Sequence, residues 1–518
     1  MNILDTENPN NYQYKTNHLE IHILGGLRTN KLESLRVTLS VQKLKSNNAS
    51  TSSAHSILRH SIDLYNDNQV EKFVRRIAER LEIGTSVVRK VLQELTHELE
   101  NYRFLLLQKE TESNKPFIKE LTASEEKEAI AFLERENLLE RTNKYIGTSG
   151  VIGEETNRLL MYLLFTSRKT NNPLHCISLG SSGVGKTHLQ SKVGELIPQE
   201  DILEVTTLSA NALYYFAKTE LSHRIILIED LDGVQKVLYT IREFASKKWI
   251  KKRVVHKDKN GVSKTIPLEV QGPVCIAGAT TQESIYEDNA NRSFLLYIDE
   301  SSEQDKRIMD YQRLVIAGKI DETEQIKARE VLQNVQRILK PIKVINPYAE
   351  HLSLPLSVFK PRRTNSHYLQ FINAITFYHQ YQREQKVNKE TGEVYIETEI
   401  EDIKEANELI IDVLLRKSDT LTGAVRNHLE KLKLYLKEKN QIKFTSSEIR
   451  RNLRVKETTL RRYHKQLLLE NYIKKVQGEK GQLYHFEIVD MKEYSELKDL
   501  VTKSLNNCIE QINLATTP

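Results

Sequence analysis

Apolar and polar positions alternate from Tyr14 to Val41, in runs such as L-E-I-H-I-L and L-R-V-T-L-S-V, and this period of two predicts strands with one buried face. A polar stretch, Ser46 to Ser53, reads as a loop. The period then lengthens: Phe73, Ile77, Leu81, Val88, Leu92 and Leu95 recur at helical spacing, with Gly84 dividing two helices. Val70 to Leu95 also has the outline of a helix-turn-helix, but helical spacing and one glycine are weak grounds for one, and the region reads as structural. A small mixed domain over residues 1–115 follows. T-A-S-E at Thr122 to Glu125 fits a capping box, opening a helix toward Glu140 that leads into a domain over 116–300. From Val151 the order becomes helix, strand (His175 to Leu179), glycine loop, helix, strand (Arg224 to Ile228), with a further strand at Pro273 to Ala277. That alternation predicts a parallel α/β sheet. Beyond Asp299 helical spacing prevails, interrupted by Pro341, Pro347, Pro355 and Pro361, so 301–440 reads as a helical lid with connecting helices. Residues 441–518 form a last helix-rich unit, and no internal repeat is evident.

Composition changes this picture little. A chain of 518 residues is too long for one core, and 39% hydrophobic with 28% charged residues is ordinary for a globular protein. No apolar run approaches the ~20 residues of a membrane span. Met1 to Lys15 has neither a basic start nor an apolar segment, so the expected location is cytoplasmic and no membrane partner is expected. Cys176, Cys275 and Cys508 lie far apart without a C-x-x-C, which argues against a disulfide framework or a cysteine-rich zinc site. The net charge of +6 is small for this length, so local clusters decide any interaction with phosphates.

The strongest chemical signal is G-S-S-G-V-G-K-T, from Gly180 through Ser181, Ser182, Gly183, Val184 and Gly185 to Lys186 and Thr187. It follows the apolar C-I-S-L and precedes H-L-Q-S-K-V-G-E-L-I, beginning at His188. Glycines placed between strand and helix let backbone N–H groups wrap phosphate oxygens, which points to ATP. Lys186 is expected to neutralise the β- and γ-phosphates and the Thr187 hydroxyl to ligate Mg²⁺. A second apolar strand ends in carboxylates, R-I-I-L-I-E-D from Arg224 to Asp230. The usual order there is Asp then Glu; here Glu229 precedes Asp230. Glu229 is placed at the metal and Asp230 as the base that orients the attacking water, the shorter side chain reaching through water. Asp230 and Asp232 also form a D-x-D of the kind seen in primase metal sites, but a position one βαβ unit after the loop favours ATP hydrolysis.

Further along, R-E-F-A-S-K-K-W-I-K-K-R-V-V and T-I-P-L-E-V flank an N-G turn, which predicts a hairpin. Lys251, Lys252, Arg253, Lys257, Lys259 and Lys264 cluster around it, and Lys257, Lys259 and Lys264 are candidate nucleic-acid contacts. V-C-I-A-G-A-T-T ends in Thr280 and Thr281, either of which is placed to sense a γ-phosphate. Arg292 precedes the apolar F-L-L-Y in the manner of an arginine finger offered to a neighbouring subunit. Arg362 and Arg363 stand just before a helix and are candidates to fold back onto the nucleotide. From Phe444 two helices around a short turn precede a Gly-tipped hairpin between Tyr472 and Val489, the pattern of a winged helix. Its second helix exposes Lys456, Arg461, Arg462 and Lys465 while burying Leu460, Leu467 and Leu468; Thr458, Thr459, Arg461 and Arg462 are candidate DNA contacts.

In that order the motifs resemble the AAA+ family, most closely the minichromosome-maintenance-like helicases of bacterial mobile genetic elements. The P-loop, I-I-L-I-E-D, the basic hairpin, G-A-T-T, N-R-S-F and K-P-R-R correspond to Walker A, Walker B, pre-sensor hairpin, sensor 1, arginine finger and sensor 2. The chain also looks like the ATPase portion of primase-helicase-like proteins that begin with a CHC-type zinc finger, a likeness that extends into Asp63 to Arg103; the zinc finger itself is absent. The resemblance implies an α/β fold with a P-loop AAA+ core and parallel sheet, a helical lid, a C-terminal winged helix and a small mixed N-terminal domain. It implies assembly into a ring, a hexamer by family habit, acting on single-stranded or forked DNA or an origin duplex, with a separate primase as a candidate partner. The competing class is a DNA-bound regulatory or transposition ATPase that switches without unwinding.

Overall fold

The computed structural model describes residues 3–27, 34–44, 57–113, 119–257, 263–282, 291–355, 360–476 and 484–516. The loop expected at Ser46 to Ser53 and the hairpin residue Lys259 lie outside them, as do the side chains of Lys257 and Lys264. The chain divides into two compact units, Met1–Ile118 and Lys119–Pro518.

In the first unit β1 (Ile3–Asp5), β2 (Asn11–Lys15), β3 (Leu19–Leu24), β4 (Arg36–Lys43) and β5 (Leu58–Asp63) form an antiparallel sheet in chain order. Leu19, Ile21 and Ile23 fill its inner face, as the alternation requires. Helices α1 (Asp67–Leu81) and α2 (Thr85–Ser113) cover that face with Phe73, Ile77, Val88, Leu92 and Leu95, so this helix pair spends its apolar stripe on the sheet.

The second unit opens with α3 (Ala123–Glu134), whose Thr122 and Glu125 form the expected reciprocal capping box, followed by α4 (Leu138–Thr148) and α5 (Glu155–Thr166). Next come β6 (Cys176–Leu179), α6 (Lys186–Gly194), β7 (Ile202–Val205), β8 (Ile225–Ile228) and α7 (Leu238–Lys247). Strands β9 (Trp249–Lys257) and β10 (Ser263–Gln271) form the antiparallel hairpin, and β11 (Cys275–Thr280) and β12 (Phe294–Tyr297) complete the core. The five core strands are parallel in the order β12-β6-β11-β8-β7. Every residue of β6, β8 and β11 is buried, which is why these strands read as unbroken apolar runs.

Helices α8 (Ser302–Ile316), α9 (Glu322–Ile338), α10 (Pro361–Tyr378) and α11 (Ile400–Ser418) follow the core. Among them stands a small sheet that the helical spacing did not foretell, β13 (Lys343–Ile345), β14 (Lys386–Val387) and β15 (Val394–Glu397), in the order β13-β15-β14. The last segment contains α12 (Gly423–Lys439), β16 (Lys443–Thr445), α13 (Ser446–Asn452), α14 (Glu457–Leu469), β17 (Ile473–Val476), β18 (His485–Ile488) and α15 (Glu493–Thr516). Leu429 and Leu432 of α12 share one core with Phe444, Ile449, Leu460, Leu467 and Phe486. Val501, Leu505, Cys508 and Ile512 of α15 instead join the large core that includes β6 and α11.

Gly423 fixes where α12 meets the sheet. A Cβ there would stand 1.9 Å from Cε1 of Tyr297 on β12, closer than any side chain can approach. Gly423→Val is expected to cost about 1–3 kcal/mol of stability through this overlap, seen as a lower thermal unfolding midpoint.

Candidate nucleotide site

The buried β6 ends at Leu179, and the chain bends through Gly180 to Gly185 before α6 begins at Lys186. Gly183 and Gly185 take φ of +85° and +93°, a region where other residues are strained, and Gly185 caps α6. The free N–H groups of the first turn of α6 thus face the crevice beyond the carboxyl ends of the strands, where anions bind in open α/β sheets. Lys186 is buried; its Nζ donates to the carbonyls of Gly180 at 3.0 Å and Ser181 at 2.6 Å. Burial lowers the pKa of its ammonium, and the charges of Glu300 and Asp230 work against that shift. His188 is exposed on the first turn of α6.

The acidic end of β8 lies beside this loop. Thr187 Oγ1 donates to the Glu229 carbonyl at 3.3 Å, and Gln190 Nε2 donates to the Ile228 carbonyl at 2.8 Å. The Glu229 carboxylate accepts from Thr206 Oγ1 at 3.1 Å, while Asp230 Oδ1 accepts from the Asp232 amide at 3.0 Å. The two carboxylates therefore have different neighbours: Glu229 is held toward the end of β7, and Asp230 is the one whose charge acts on Lys186. A hydroxyl and two carboxylates are the hard oxygen donors that suit Mg²⁺. Thr280 is buried with Oγ1 accepting from the Gln282 amide at 3.0 Å, whereas Thr281 lines the cavity in front of the loop.

Glu300 is a site residue that sequence reasoning missed. Its carboxylate accepts from the Ser181 amide at 2.6 Å and from Ser181 Oγ at 3.1 Å. A sign was present in Y-I-D-E, an acid just past a strand, but its partner lies far away in sequence. A carboxylate on a P-loop amide competes with phosphate for that donor and repels it. Glu300→Gln is accordingly expected to tighten nucleotide binding several-fold in a titration, the charge being lost and the shape kept.

The remaining sequence candidates fall in three other places. Arg292 and Arg363 line one cavity of about 400 Å³ with His175, Ser246, Lys248 and His367, and Arg292 Nε donates to Ser246 Oγ at 2.7 Å. His175 immediately precedes β6, and His367 stacks on Phe294 at the start of β12, so this cavity sits at the opposite end of the strands from the P-loop. Arg363 is therefore not folded back onto the P-loop of its own chain; Arg362 is exposed at the start of α10. Burial pushes His175 down to about 4 and His367 down to about 2, so near neutral pH the positive charge here belongs to the arginines and Lys248. At the base of the hairpin, Lys251 pairs with Glu269 at 3.0 Å and lies over Trp249, while Lys252 bonds Asn211 and lies over Tyr214. On α14, Thr458 and Arg461 are exposed, with Arg461 paired to Glu457; Thr459 and Arg462 line the cavity in front of the P-loop.

Residues 121–341 match the family model described as the MTBMA_p00010 P-loop domain. This segment is a P-loop domain. The match takes in α3 through α9, with the glycine loop, both β8 carboxylates and Arg292, and stops before Arg363 and the C-terminal helix pair. An uncharacterized protein of Methanothermobacter marburgensis, MTBMA_p00010, is 25% identical over 295 residues, 54% of this chain; the match spans only 36% of that relative's length. Among solved structures, a full-length MCM homolog from Methanopyrus kandleri aligns with a TM-score of 0.36 and 12% identity, over 58% of this chain and 63% of that one. Drosophila ORC bound to DNA aligns with a TM-score of 0.22 and 10% identity, over 74% of this chain and 95% of that one. No helix among the described residues is long and apolar enough to cross a membrane.

Proposed function

We propose that this chain is an AAA+ ATPase that assembles into a ring, a hexamer by the family resemblance, and uses ATP hydrolysis to move along or open DNA during replication of a mobile element. The observation that carries the reading is the division of the site between two ends of one sheet. Lys186, Thr187, Glu229 and Asp230 gather at the carboxyl ends of the strands, and Arg292 and Arg363 at the amino ends. Such a layout becomes useful when copies pack head to tail, each presenting its arginines to the P-loop of the next, and a closed ring satisfies every site.

Within one site the loop amides and Lys186 bind the triphosphate. Thr187 and Glu229 would hold Mg²⁺, which when bound supplies charge neutralisation at the phosphates. Asp230, adjoining Lys186 electrostatically, orients the attacking water, and Thr281 senses the terminal phosphate from the cavity wall. The reading of DNA as substrate is supported by the basic β9/β10 hairpin and by a C-terminal winged helix composed of α13, α14 and the β17/β18 wing. Sedimentation with and without ATP tests the ring directly, and an ATPase rate per chain that rises with protein concentration is its kinetic counterpart.

A second reading, a DNA-bound ATPase switch that does not unwind, is favoured by one observation. The lysines at the base of the hairpin are already engaged by Glu269, Trp249, Asn211 and Tyr214, which leaves translocation to the residues nearer its tip. DNA unwinding separates the two.

A further inference from the structure

The cavity in front of the P-loop has a second wall that belongs to the C-terminal unit. It measures about 660 Å³, within the range of small-molecule sites. Gly180, Ser181, Ser182 and Thr281 form one side; Thr459 and Arg462 of α14 form the other. We propose that Arg462 contacts the terminal phosphate of ATP bound to the P-loop of the same chain, so that the C-terminal unit reads the nucleotide. The proposal rests on the ATPase reading above.

Three observations carry it. The first is charge. Among the described residues lining this cavity, Arg462 is the one cation and Glu300 the one acid. Arg462 has no carboxylate partner among the described residues; its guanidinium lies 5.4 Å over the ring of Tyr463, whereas its neighbour Arg461 is paired with Glu457. A planar guanidinium facing a phosphate site without a competing ion pair is suited to bidentate binding of phosphate oxygens.

The second is position along the nucleotide. In a P-loop the amides at the helix start cradle the inner phosphates, and the lysine bridges the outer two. Here those groups are Gly185 to Thr187 and Lys186, while the residues that open onto Arg462 are the earlier Gly180 to Ser182 and the γ-phosphate candidate Thr281. The cavity thus extends from the outer end of the triphosphate.

The third is that α14 is held in place. Gly423 of α12 abuts Tyr297 with no room for a side chain, and the Arg416 guanidinium covers the Tyr297 ring at 4.5 Å. Buried Arg426 then ties α12 to Asp419, through bonds of 2.7 Å to each carboxylate oxygen, and to Glu493 of α15. While the unit is seated in this way, Thr459 and Arg462 stay on the wall of the cavity in front of the P-loop.

The test is nucleotide titration of the full chain with fluorescent ADP and a fluorescent non-hydrolysable ATP analogue, using wild type, Arg462→Ala, Arg462→Lys and, as a charge control in the same unit, Lys437→Ala. Loss of one charge-assisted contact predicts about a tenfold weaker affinity of Arg462→Ala for the ATP analogue, with ADP affinity changed less than about twofold. Arg462→Lys should recover part of the loss, and exposed Lys437→Ala should match wild type. Equal affinities of wild type and Arg462→Ala for the ATP analogue would overturn the inference, as would equal losses for ATP analogue and ADP. Wild type that binds neither nucleotide would instead overturn the ATPase reading.

Discussion

Lys186→Ala is expected to abolish the proposed ATP hydrolysis with the fold intact, the largest effect expected of any single change. Lys186 is buried, and among the described residues its ammonium bonds loop carbonyls, Gly180 at 3.0 Å and Ser181 at 2.6 Å, rather than a side chain of another element. Its truncation removes the one side-chain cation within the loop, the charge on which Glu300 and Asp230 act. Charge stabilisation of this kind is commonly worth about 10²–10³ in rate at a single donor, and a bridging cation should reach at least that. A steady-state ATPase assay checks the effect, with circular dichroism to establish that the variant is folded. Retention of full turnover would remove Lys186 from the catalytic assignment.

Arg292→Ala comes next, and the geometry makes its consequence distinctive. Arg292 lines a cavity at the amino ends of the strands, and in the proposed ring it serves the P-loop of a neighbouring copy. On that proposal turnover should fall by about 10³ or more, the effect typical of arginine fingers, while nucleotide affinity of the isolated chain stays near wild type. Mixing supplies a sharper check. Arg292→Ala chains keep an intact P-loop and Lys186→Ala chains keep an intact arginine, so two inactive preparations should regain partial activity when mixed and allowed to exchange. Failure of the mixture to recover any turnover would argue that Arg292 does not act across an interface.

The site was legible in the sequence where function and local pattern coincide. Gly180 to Thr187 sits between a buried strand and a helix, and the β8 carboxylates end an apolar run, so spacing alone located both. Glu300 was not legible, because its meeting with Ser181 is made by the pairing of β12 with β6 and leaves no local periodicity. Thr459 and Arg462 were read as candidate DNA contacts, and that they also line the cavity in front of the P-loop was not legible, because helical spacing reports which face a helix turns from its own core and cannot tell what stands opposite. Arg363 illustrates the same limit, since its position beside Arg292 depends on α10 packing against the start of β12 through His367 and Phe294. In the fold, β13, β14 and β15 escaped notice because strands of two to four residues carry too few positions to display a period. The first unit shows a converse case, in which α1 and α2 carry a pattern that fits a DNA-reading pair as well as a covering layer, and the buried Phe73, Ile77 and Leu92 identify the layer.

The most direct measurement is ATP hydrolysis with and without single-stranded DNA, run beside unwinding of a forked duplex, for wild type and Lys186→Ala. The expected result is hydrolysis stimulated by DNA together with unwinding, both lost in the variant. Hydrolysis that DNA stimulates without any unwinding would contradict the motor and leave the switch, and wild type that fails to hydrolyse ATP under any of these conditions would contradict the account at its root.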